Sequence, residues 1–271
     1  MRGMKLIAAT LAALLAFGLS AAAAEKVICS VAFEVGAGEP LLREGDCEGR
    51  VSPASTFKIP ISLMGFDAGI LTSPNKPEWP FKEGYSDWIP AWRQAQTPAS
   101  WMQNSVVWYS QQITLRLGME RFAAYVDGFD YGNKDISGDK GKDNGLTHSW
   151  LSSSLQISPD EQMAFLARMI EGKLPVTPEA VANTAKIIEF EERPNGWRVF
   201  GKTGSGTPLG PDGKLLKDSR FGWYVGWAEK DGRSVVFTRL VTFDYRPEER
   251  PGLVARDGLF AELFGAGGPL N

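Results

Sequence analysis

The sequence predicts an α/β protein whose central antiparallel sheet comes from both ends of the chain, is flanked by helices and is interrupted by an all-helical inserted lobe. Alternating and β-branched runs, which are typical of strands, occur near the N-terminus and again after residue 196. Between them lie segments with helix caps and helical periodicity. Strands at both ends with helices in the middle indicate one discontinuous α/β unit and a separate helical lobe.

The first 24 residues have the layout of a secretory signal peptide. Arg2 and Lys5 precede a mostly apolar run from Leu6 to Leu19, and small residues follow up to Ala24. This run is shorter than the roughly 20 apolar residues that a bilayer span needs. We therefore expect cleavage near Ala24 and an exported mature domain over 25–271 without a membrane anchor. An uncleaved N-terminal anchor is the alternative.

The first strand is predicted from Val27 to Glu34, followed by a turn at the glycine-rich segment 36–38. In a hairpin centred on Gly38, Cys29 and Cys47 are equidistant from the turn and can face each other. Exported proteins form disulfides. We therefore predict a Cys29–Cys47 bridge, with two free buried thiols as the alternative.

Helices are predicted through the middle of the chain from their caps and end signals. Between the helices, the aperiodic stretches 72–92 and 127–158 are predicted as loops, and the second is long enough to suggest a function. The predicted helices are an apolar one that has Pro60 in its first turn and ends near Gly69, one from Thr97-Pro98 to Gly118, a short one over Met119–Val126, one opened by the capping box Ser158-Pro159-Asp160-Glu161 and ended by Gly172, and one from Thr177-Pro178 to about Phe190.

The C-terminal region returns to strand patterns and closes with a helix. The expected α/β part therefore covers about 25–60 and 196–271, and the helical lobe covers about 61–195. A crevice between two such lobes is a usual position for a small-molecule site. The predicted C-terminal elements are strands over Trp197–Thr203, Phe221–Glu229 and Ser234–Phe243 and a helix over Ala255–Phe264.

Composition excludes two functional classes. With 29 Lys and Arg residues against 32 Asp and Glu residues, the net charge is −3, and no basic run contains interleaved aromatics. Nucleic acid is therefore not expected as a partner. A single histidine, His148, and two cysteines cannot assemble a His-rich catalytic zinc site or a four-cysteine structural zinc site, so no metal is expected.

A Ser-x-x-Lys pattern at a helix start sets a hydroxyl and an amine one turn apart, where the amine can act as the base of a serine nucleophile. The pair Ser55 and Lys58 lies at the N-terminus of the first predicted helix, where the apolar residues Phe57 and Ile59 flank the lysine. Ser55 is therefore our candidate nucleophile, with a helix-capping serine as the alternative. The pattern recurs, in polar loops, at Ser73–Lys76 and Ser137–Lys140.

Three further segments carry candidate site residues. In Gly201–Gly206, at the end of a predicted strand, Lys202 and Thr203 can hold a substrate carboxylate while the glycines allow a close backbone approach. Taken alone, this segment is also compatible with a hairpin turn. Ser105-Val106-Val107 lies on the second predicted helix, where a serine commonly bonds to a backbone carbonyl. Tyr131-Gly132-Asn133 lies in the long loop.

Together these motifs resemble the penicillin-recognising serine acyltransferases, in which a Ser-x-x-Lys pairs with a Lys-Thr-Gly. The set is similar to that of the class D β-lactamases, the oxacillinases, and covers nearly the whole expected mature chain in the family's order. The Ser-Asp-Asn and Glu-x-x-Leu-Asn patterns of class A enzymes are missing. The motifs are Ser55-Thr56-Phe57-Lys58, Ser105-Val106-Val107, Tyr131-Gly132-Asn133, Trp150-Leu151 with Ser154-Leu155-Gln156-Ile157-Ser158, Lys202-Thr203-Gly204, and Phe221-Gly222-Trp223-Tyr224-Val225-Gly226-Trp227.

The resemblance implies a serine β-lactamase or penicillin-binding transpeptidase type of fold and hydrolysis of the β-lactam amide through an acyl-enzyme on Ser55. In class D enzymes the lysine of the first motif, here Lys58, is carboxylated by CO2 and serves as general base. No bound cofactor is implied beyond this CO2 or bicarbonate. Trp150 would donate its indole N–H to the carbamate. Phe57, Val106 and Leu151 would make the surroundings apolar.

The resemblance also implies how the small-molecule β-lactam is held. Lys202, Thr203 and a C-terminal arginine would bind its carboxylate, and the backbone N–H groups of Ser55 and Ser205 would form the oxyanion hole. Ser105 would relay a proton to the leaving nitrogen. Arg256 fits the family's placement of that arginine best, with Arg250 and Arg246 as alternatives. Val106 and Gly204 are also expected beside the substrate, and Tyr131, Gly132, Asn133 and Leu151 are expected as structural neighbours of the site.

Other functions were weighed on the same residues. A Ser-His-Asp triad through His148 is rejected, because that histidine lies in a polar loop and no Gly-x-Ser-x-Gly motif is found. A β-lactam sensor that stays acylated, a penicillin-binding transpeptidase and an inactive relative are the alternatives to the enzyme. The family implies a periplasmic location. Substrate preference among β-lactams and the oligomeric state are not determined by the sequence.

Overall fold

Five strands form one antiparallel sheet in the order β2-β1-β5-β4-β3. The computed structural model describes residues 25–271, so the expected signal peptide lies outside the described residues. Since two strands come from the N-terminal end and three follow residue 197, the predicted fold class is confirmed. The strands are β1 (Lys26–Glu34), β2 (Pro40–Gly45), β3 (Arg198–Gly206), β4 (Arg220–Lys230) and β5 (Arg233–Phe243).

Most of the helices lie between β2 and β3, and the last helix follows β5. The predicted caps form: the Ser158 side chain accepts from the Glu161 N–H, and Thr97 and Thr177 cap their helices in the same way. Among the described residues, no helix is long and apolar enough to cross a membrane. The helices are α1 (Lys58–Asp67), α2 (Pro98–Gln103), α3 (Val107–Gly128), α4 (Gly145–His148), α5 (Pro159–Ile170), α6 (Pro178–Ile188) and α7 (Pro251–Phe264), with 3-10 turns at Ala54–Phe57, Pro90–Trp92 and Pro194–Gly196.

The helix predicted from Thr97-Pro98 to Gly118 is in fact two helices. Ser105 has φ 55°, a left-handed conformation that a continuous helix does not permit, and it separates α2 from α3. Gly118, with φ 75°, kinks α3 without ending it. Residue types alone predicted one helix here because no glycine or proline between Pro98 and Gly118 marks the break at Ser105.

The N-terminal hairpin contains the predicted disulfide, but the two cysteines do not lie directly opposite each other in the strand register. Cys29 is bonded to Cys47, with 5.1 Å between their Cα atoms. The register sets Cys29 opposite Gly45, because Phe33 pairs with Pro40 and the hairpin is therefore centred between Gly36 and Ala37 and not on Gly38. Gly45 has φ 80°, and a Cβ there would lie 2.1 Å from the Ile28 carbonyl oxygen. Glycine therefore lets the chain bend back and bring Cys47 to Cys29.

Hydrophobic cores on both faces of the sheet fix its position. On one face, Ala32, Val199 and Phe237 pack with Leu259 and Leu263 of α7. On the other face lies the larger core, which is rich in aromatic residues and extends through the helical lobe. β3 is one of the two edge strands of the sheet, and its Phe200 forms a β-bridge with Glu189 at the end of the helical lobe.

Replacing both cysteines with alanine is expected to lower the free energy of unfolding by about 3 kcal/mol, because the unfolded chain regains the freedom of a loop closed across 18 positions. Urea titration of the double variant Cys29→Ala/Cys47→Ala measures this loss. Wild-type protein treated with a reductant serves as the chemical control and should unfold with the variant. Equal midpoints for the oxidised wild type and the variant would contradict the expectation.

Candidate active site

The 3-10 turn Ala54–Phe57 and the start of α1 carry the candidate nucleophile. Lys58 Nζ donates to Ser55 Oγ over 3.2 Å, so the Ser-x-x-Lys pair has the geometry that its spacing predicts. Ala54 has φ 49°, which is uncommon for a residue with a side chain. The backbone of this turn is therefore held in an unfavourable conformation by its surroundings.

Lys58 is completely buried. Burial lowers the pKa of its amine well below the ordinary value, and the nearby charge of Lys202 lowers that pKa further. Two effects thus favour a neutral amine at this position. A neutral amine has a free electron pair and can act as a base or as a nucleophile.

Trp150 lies close to the turn and has an unused hydrogen-bond donor. Its ring centroid is 5.7 Å from that of Phe57, one of the two residues between Ser55 and Lys58. The indole is fully buried, and among the described residues Nε1 finds no acceptor. A buried donor without an acceptor costs about 1–3 kcal/mol, so this N–H calls for a partner.

Strand β3 brings the second motif against the turn. The strand continues to Gly206, so Lys202, Thr203, Gly204 and Ser205 lie on the strand itself and not in a turn after it. A Cβ on Gly204 would lie 3.0 Å from the Pro53 carbonyl oxygen. A side chain at Gly204 would press on the turn that carries Ser55, so glycine favours this close approach of β3.

Lys202 is nearly buried and donates to the backbone carbonyl of Thr203 over 3.0 Å and to the Thr203 hydroxyl over 3.2 Å. Burial lowers the pKa of Lys202 to about 7, and the charge of Arg250 contributes to the decrease. An anionic ligand beside this amine would favour its protonated form. The site therefore provides a cation whose charge responds to what binds.

A cavity of about 370 Å³ collects residues from four of the predicted motifs. Its polar lining includes Ser55, Ser105, Thr203 and Ser205, and an adjoining cavity of about 580 Å³ is lined in part by Lys202. Lys58 lies beneath the surface of the first cavity. The apolar lining of the first cavity includes Trp88, Ile89, Trp92, Val107, Leu151, Leu215 and Leu253.

The left-handed conformation of Ser105 decides which residues of its motif reach the cavity. Ser105 lines both cavities, whereas Val106 is fully buried and Val107 lines the first. Val107, and not Val106, is therefore the valine of this motif that lines the cavity. Because Ser105 interrupts the helix, the valine next to it turns into the core.

Arg250 is the arginine that lines the same cavity as Ser55. Among Arg246, Arg250 and Arg256, only Arg250 lines the first cavity. Arg256, the arginine favoured from the sequence, lines only the adjoining cavity, and its Nε donates to Asp257 over 2.7 Å. Arg246 donates to the Lys217 carbonyl.

The position of Arg250 follows from the packing of α7. This helix begins at Pro251 and not at Ala255, so Arg250 is its N-cap. A Cβ on Gly222 of β4 would lie 2.1 Å from the Pro251 carbonyl oxygen, and the Gly252 N–H donates to Ser205 Oγ over 2.9 Å. The first turn of α7 is thereby fixed against β3 and β4. The Pro-Gly pair after Arg250 is the sequence signal that could have indicated this helix start.

The remaining motif residues lie around the site. Asn133 Nδ2 donates to the Ser154 carbonyl over 2.8 Å, and a Cβ on Gly132 would lie 2.0 Å from the Gln156 carbonyl oxygen. Tyr131 is fully buried. The Tyr131-Gly132-Asn133 segment thus fastens the long loop that carries Trp150 and Leu151.

Other candidates and omissions are also clear. His148 shares a 2.7 Å hydrogen bond with Thr147 Oγ1 and is absent from the linings of both cavities. Over residues 25–271, no group of three or more His, Cys, Asp or Glu side chains could hold a metal ion. The sequence analysis missed Trp88, whose side chain is 65% exposed at the first cavity. Its loop has no periodicity that would have identified it.

The chain is similar to known proteins over most of its length. The family model described as the penicillin binding protein transpeptidase domain matches residues 24–264. β-Lactamase OXA-9 of Klebsiella pneumoniae is 46% identical over 241 residues, which cover 88% of each chain. β-Lactamase OXA-1 of Escherichia coli is 40% identical over 197 residues, covering 72% of this chain and 68% of that relative.

A solved structure agrees with these relatives. The crystal structure of the class D β-lactamase OXA-427 matches with a TM-score of 0.82 and 46% sequence identity. The match covers 87% of this chain and 96% of that chain. The similarity therefore extends over most of the sheet and of the helical lobe.

The Arg250→Gln substitution is expected to raise the pKa of Lys202 above about 7, because removal of a neighbouring positive charge favours the ammonium form. NMR titration of 13C-labelled lysine measures this pKa, with the resonance assigned by its loss in Lys202→Met. Arg256→Gln is the matched control and should move the midpoint less. A wild-type midpoint near the ordinary 10.5 would contradict the burial argument.

Proposed function

Because the chain belongs to the class D β-lactamases, a family of β-lactam hydrolases, we propose that it opens the lactam ring through an acyl-enzyme on Ser55, with N-carboxylated Lys58 as general base. The observation that carries this proposal is the fully buried Lys58 amine, whose Nζ lies 3.2 Å from Ser55 Oγ. A serine hydroxyl needs such an adjacent base to become a nucleophile.

The residues around Lys58 fit a carboxylated amine. Only the neutral amine adds CO2, and burial lowers the pKa of Lys58 in favour of that form. The unpartnered Nε1–H of buried Trp150 offers a donor for a carbamate oxygen. When present, the carbamate supplies an anionic oxygen base close to Ser55 Oγ. This assignment gives the orphaned indole N–H an acceptor.

Acylation follows from the groups in the first cavity. Ser55 Oγ attacks the lactam carbonyl carbon and gives its proton to the base, while the carbonyl oxygen accepts from the backbone N–H groups of Ser55 and Ser205. Each such donor is typically worth about 2.7–4 kcal/mol. As the ring C–N bond breaks, Ser105 relays a proton to the nitrogen. In deacylation a water molecule attacks the ester, and the Ser55 hydroxyl is restored.

The substrate carboxylate is assigned to Lys202, Thr203 and Arg250. Thr203 and Arg250 line the same cavity as Ser55, and Lys202 lies next to Thr203 in the adjoining cavity. Arg250 here replaces Arg256, whose guanidinium pairs with Asp257. The Arg250→Gln and Arg256→Gln proteins, compared by their KM for benzylpenicillin, separate the two assignments.

We expect the mass of the chain to rise by one benzylpenicillin on mixing and to return to the free mass as penicillin is consumed, because the Ser55 ester forms and is then hydrolysed. Intact mass spectrometry over time measures both steps. Ser55→Ala should give no adduct, and Lys58→Ala should retain any adduct that it forms.

The same experiment tests the alternatives. An adduct that persists on the wild-type chain would overturn the hydrolytic mechanism in favour of a sensor or a transpeptidase. An adduct that still forms on Ser55→Ala would overturn the choice of nucleophile.

Addition of 13C-bicarbonate is expected to produce a carbamate carbonyl resonance in the 13C NMR spectrum, because the neutral Lys58 amine adds CO2. Lys58→Ala should lose the resonance. Trp150→Phe should weaken it, because the N–H donor is gone, whereas the exposed Trp88→Phe serves as the matched control. Turnover independent of bicarbonate, together with an absent resonance in the wild type, would remove carboxylation from the mechanism.

A further inference from the structure

We propose that Gln162, on the first turn of α5, is a positioning residue that holds the turn bearing Ser55 through its hydrogen bond to Thr56. The inference rests on the proposed role of Ser55 as nucleophile. It adds a residue that lines neither cavity near Ser55 and belongs to none of the motifs by which the sequence was interpreted.

The hydrogen bonds form a directed chain from α5 to the nucleophile's turn. Thr56 Oγ1 donates to the Pro53 carbonyl over 2.7 Å, so its oxygen is free to accept from Gln162 Nε2 at 3.0 Å. The backbone N–H of Thr56 also donates to the Pro53 carbonyl, over 3.1 Å. Gln162 therefore fixes the side chain that closes the turn around Ser55.

Tyr131 determines the orientation of the Gln162 amide. Its hydroxyl donates to Gln162 Oε1 over 3.2 Å, which leaves Nε2 directed to Thr56. Burial raises the pKa of Tyr131 and keeps this donor protonated. Gln162, Tyr131 and Thr56 are each at most 1% exposed, so no solvent competes for these bonds.

The opposite side of Thr56 rests on the strand that carries the oxyanion donor. A Cβ on Gly204 would lie 3.0 Å from Thr56 Cγ2. Thr56 is therefore held between Gln162 on its hydroxyl side and β3 on its methyl side. A shift of Thr56 would change the distances from Ser55 to Lys58 and to Ser205 together.

The turn needs such support beyond its own backbone hydrogen bonds because its conformation is strained. Ala54 has a left-handed φ of 49°, and no side chain caps the 3-10 turn. By contrast, the first turn of α5 is anchored. Its capping box is formed by Ser158 and Glu161. Glu161 also pairs with Arg50, at the start of the segment 50–56 that contains Ser55.

A second link fixes α5 relative to this segment. Val51 and Ile157 exchange backbone hydrogen bonds of 3.1 and 2.9 Å. The start of α5 thus contacts the segment 50–56 at both ends. Arg50 and Val51 make the contacts at its beginning, and Thr56 makes the contact at its end. Gln162 supplies the contact closest to Ser55.

The test is the acylation rate of Gln162→Met, which keeps the length of the side chain and removes both hydrogen bonds. We expect acylation by benzylpenicillin, followed by rapid-quench mass spectrometry, to slow by about 10- to 100-fold. The KM-type binding constant for the substrate should stay near the wild-type value, because Gln162 does not line the cavity. Thr56→Val should slow acylation similarly, and the double variant should be no slower than either single variant.

Two further variants separate positioning from general loss of stability. Thr56→Ser keeps the hydroxyl and should acylate close to the wild-type rate. Tyr125→Phe, the matched control, removes a 2.6 Å hydroxyl hydrogen bond to Asp67 at the far end of α1. It should change thermal stability without changing acylation.

The outcomes distinguish this inference from the proposed function. A wild-type chain that forms no adduct on Ser55 would remove the proposed function and this inference with it. Wild-type acylation with an unchanged rate in Gln162→Met would overturn the inference alone. Additive losses in the double variant, or equal slowing in Tyr125→Phe, would reduce Gln162 to a structural residue and overturn the positioning role. If Gln162→Met fails to fold, Thr56→Val against Thr56→Ser decides the same question.

Discussion

The burial of the Lys58 amine is the constraint on which the candidate site depends. Lys58 is enclosed at the start of α1 with its Nζ 3.2 Å from the Ser55 hydroxyl, in surroundings that disfavour its charged form. An unpaired buried ammonium would be costly, so the site is stable only with a neutral or chemically modified lysine. In the proposed mechanism the same residue meets two requirements, because the nucleophile Ser55 needs a base and the protein interior disfavours charge.

The fold meets this constraint by fastening one short segment from several sides. Ser52 Oγ donates to the Trp150 carbonyl over 2.8 Å and accepts from the Ser152 N–H, which ties the Trp150 loop to the segment. The Ser52 carbonyl accepts from Trp223 of β4. The segment before Ser55 is therefore joined to the loop, to the sheet and to α5, and the strained turn at its end is held by all three.

Opposite electrostatic demands are separated in space. Lys58 lies beneath the cavity, where charge is disfavoured, while Arg250 and Thr203 line its surface, where an anion can be received. Lys202 stands between these extremes, since burial lowers its pKa to about 7 and a bound carboxylate would restore its charge. The packing of α7 against Gly222 makes this separation possible, because it brings a permanently charged arginine to the rim.

Features that depend on local periodicity and spacing could be predicted from the sequence. The Ser55–Lys58 pair, the cap at Ser158, the strands after residue 197 and the α/β class all follow from contacts within a few residues, and they form as predicted. Other features depend on tertiary contacts and are seen only in the folded structure. The left-handed turn at Ser105, the position of Arg250 at the cavity and the bond from Gln162 to Thr56 arise from packing between distant segments. Residue types along one chain do not record which distant groups meet, so these features could not be derived before the fold was known.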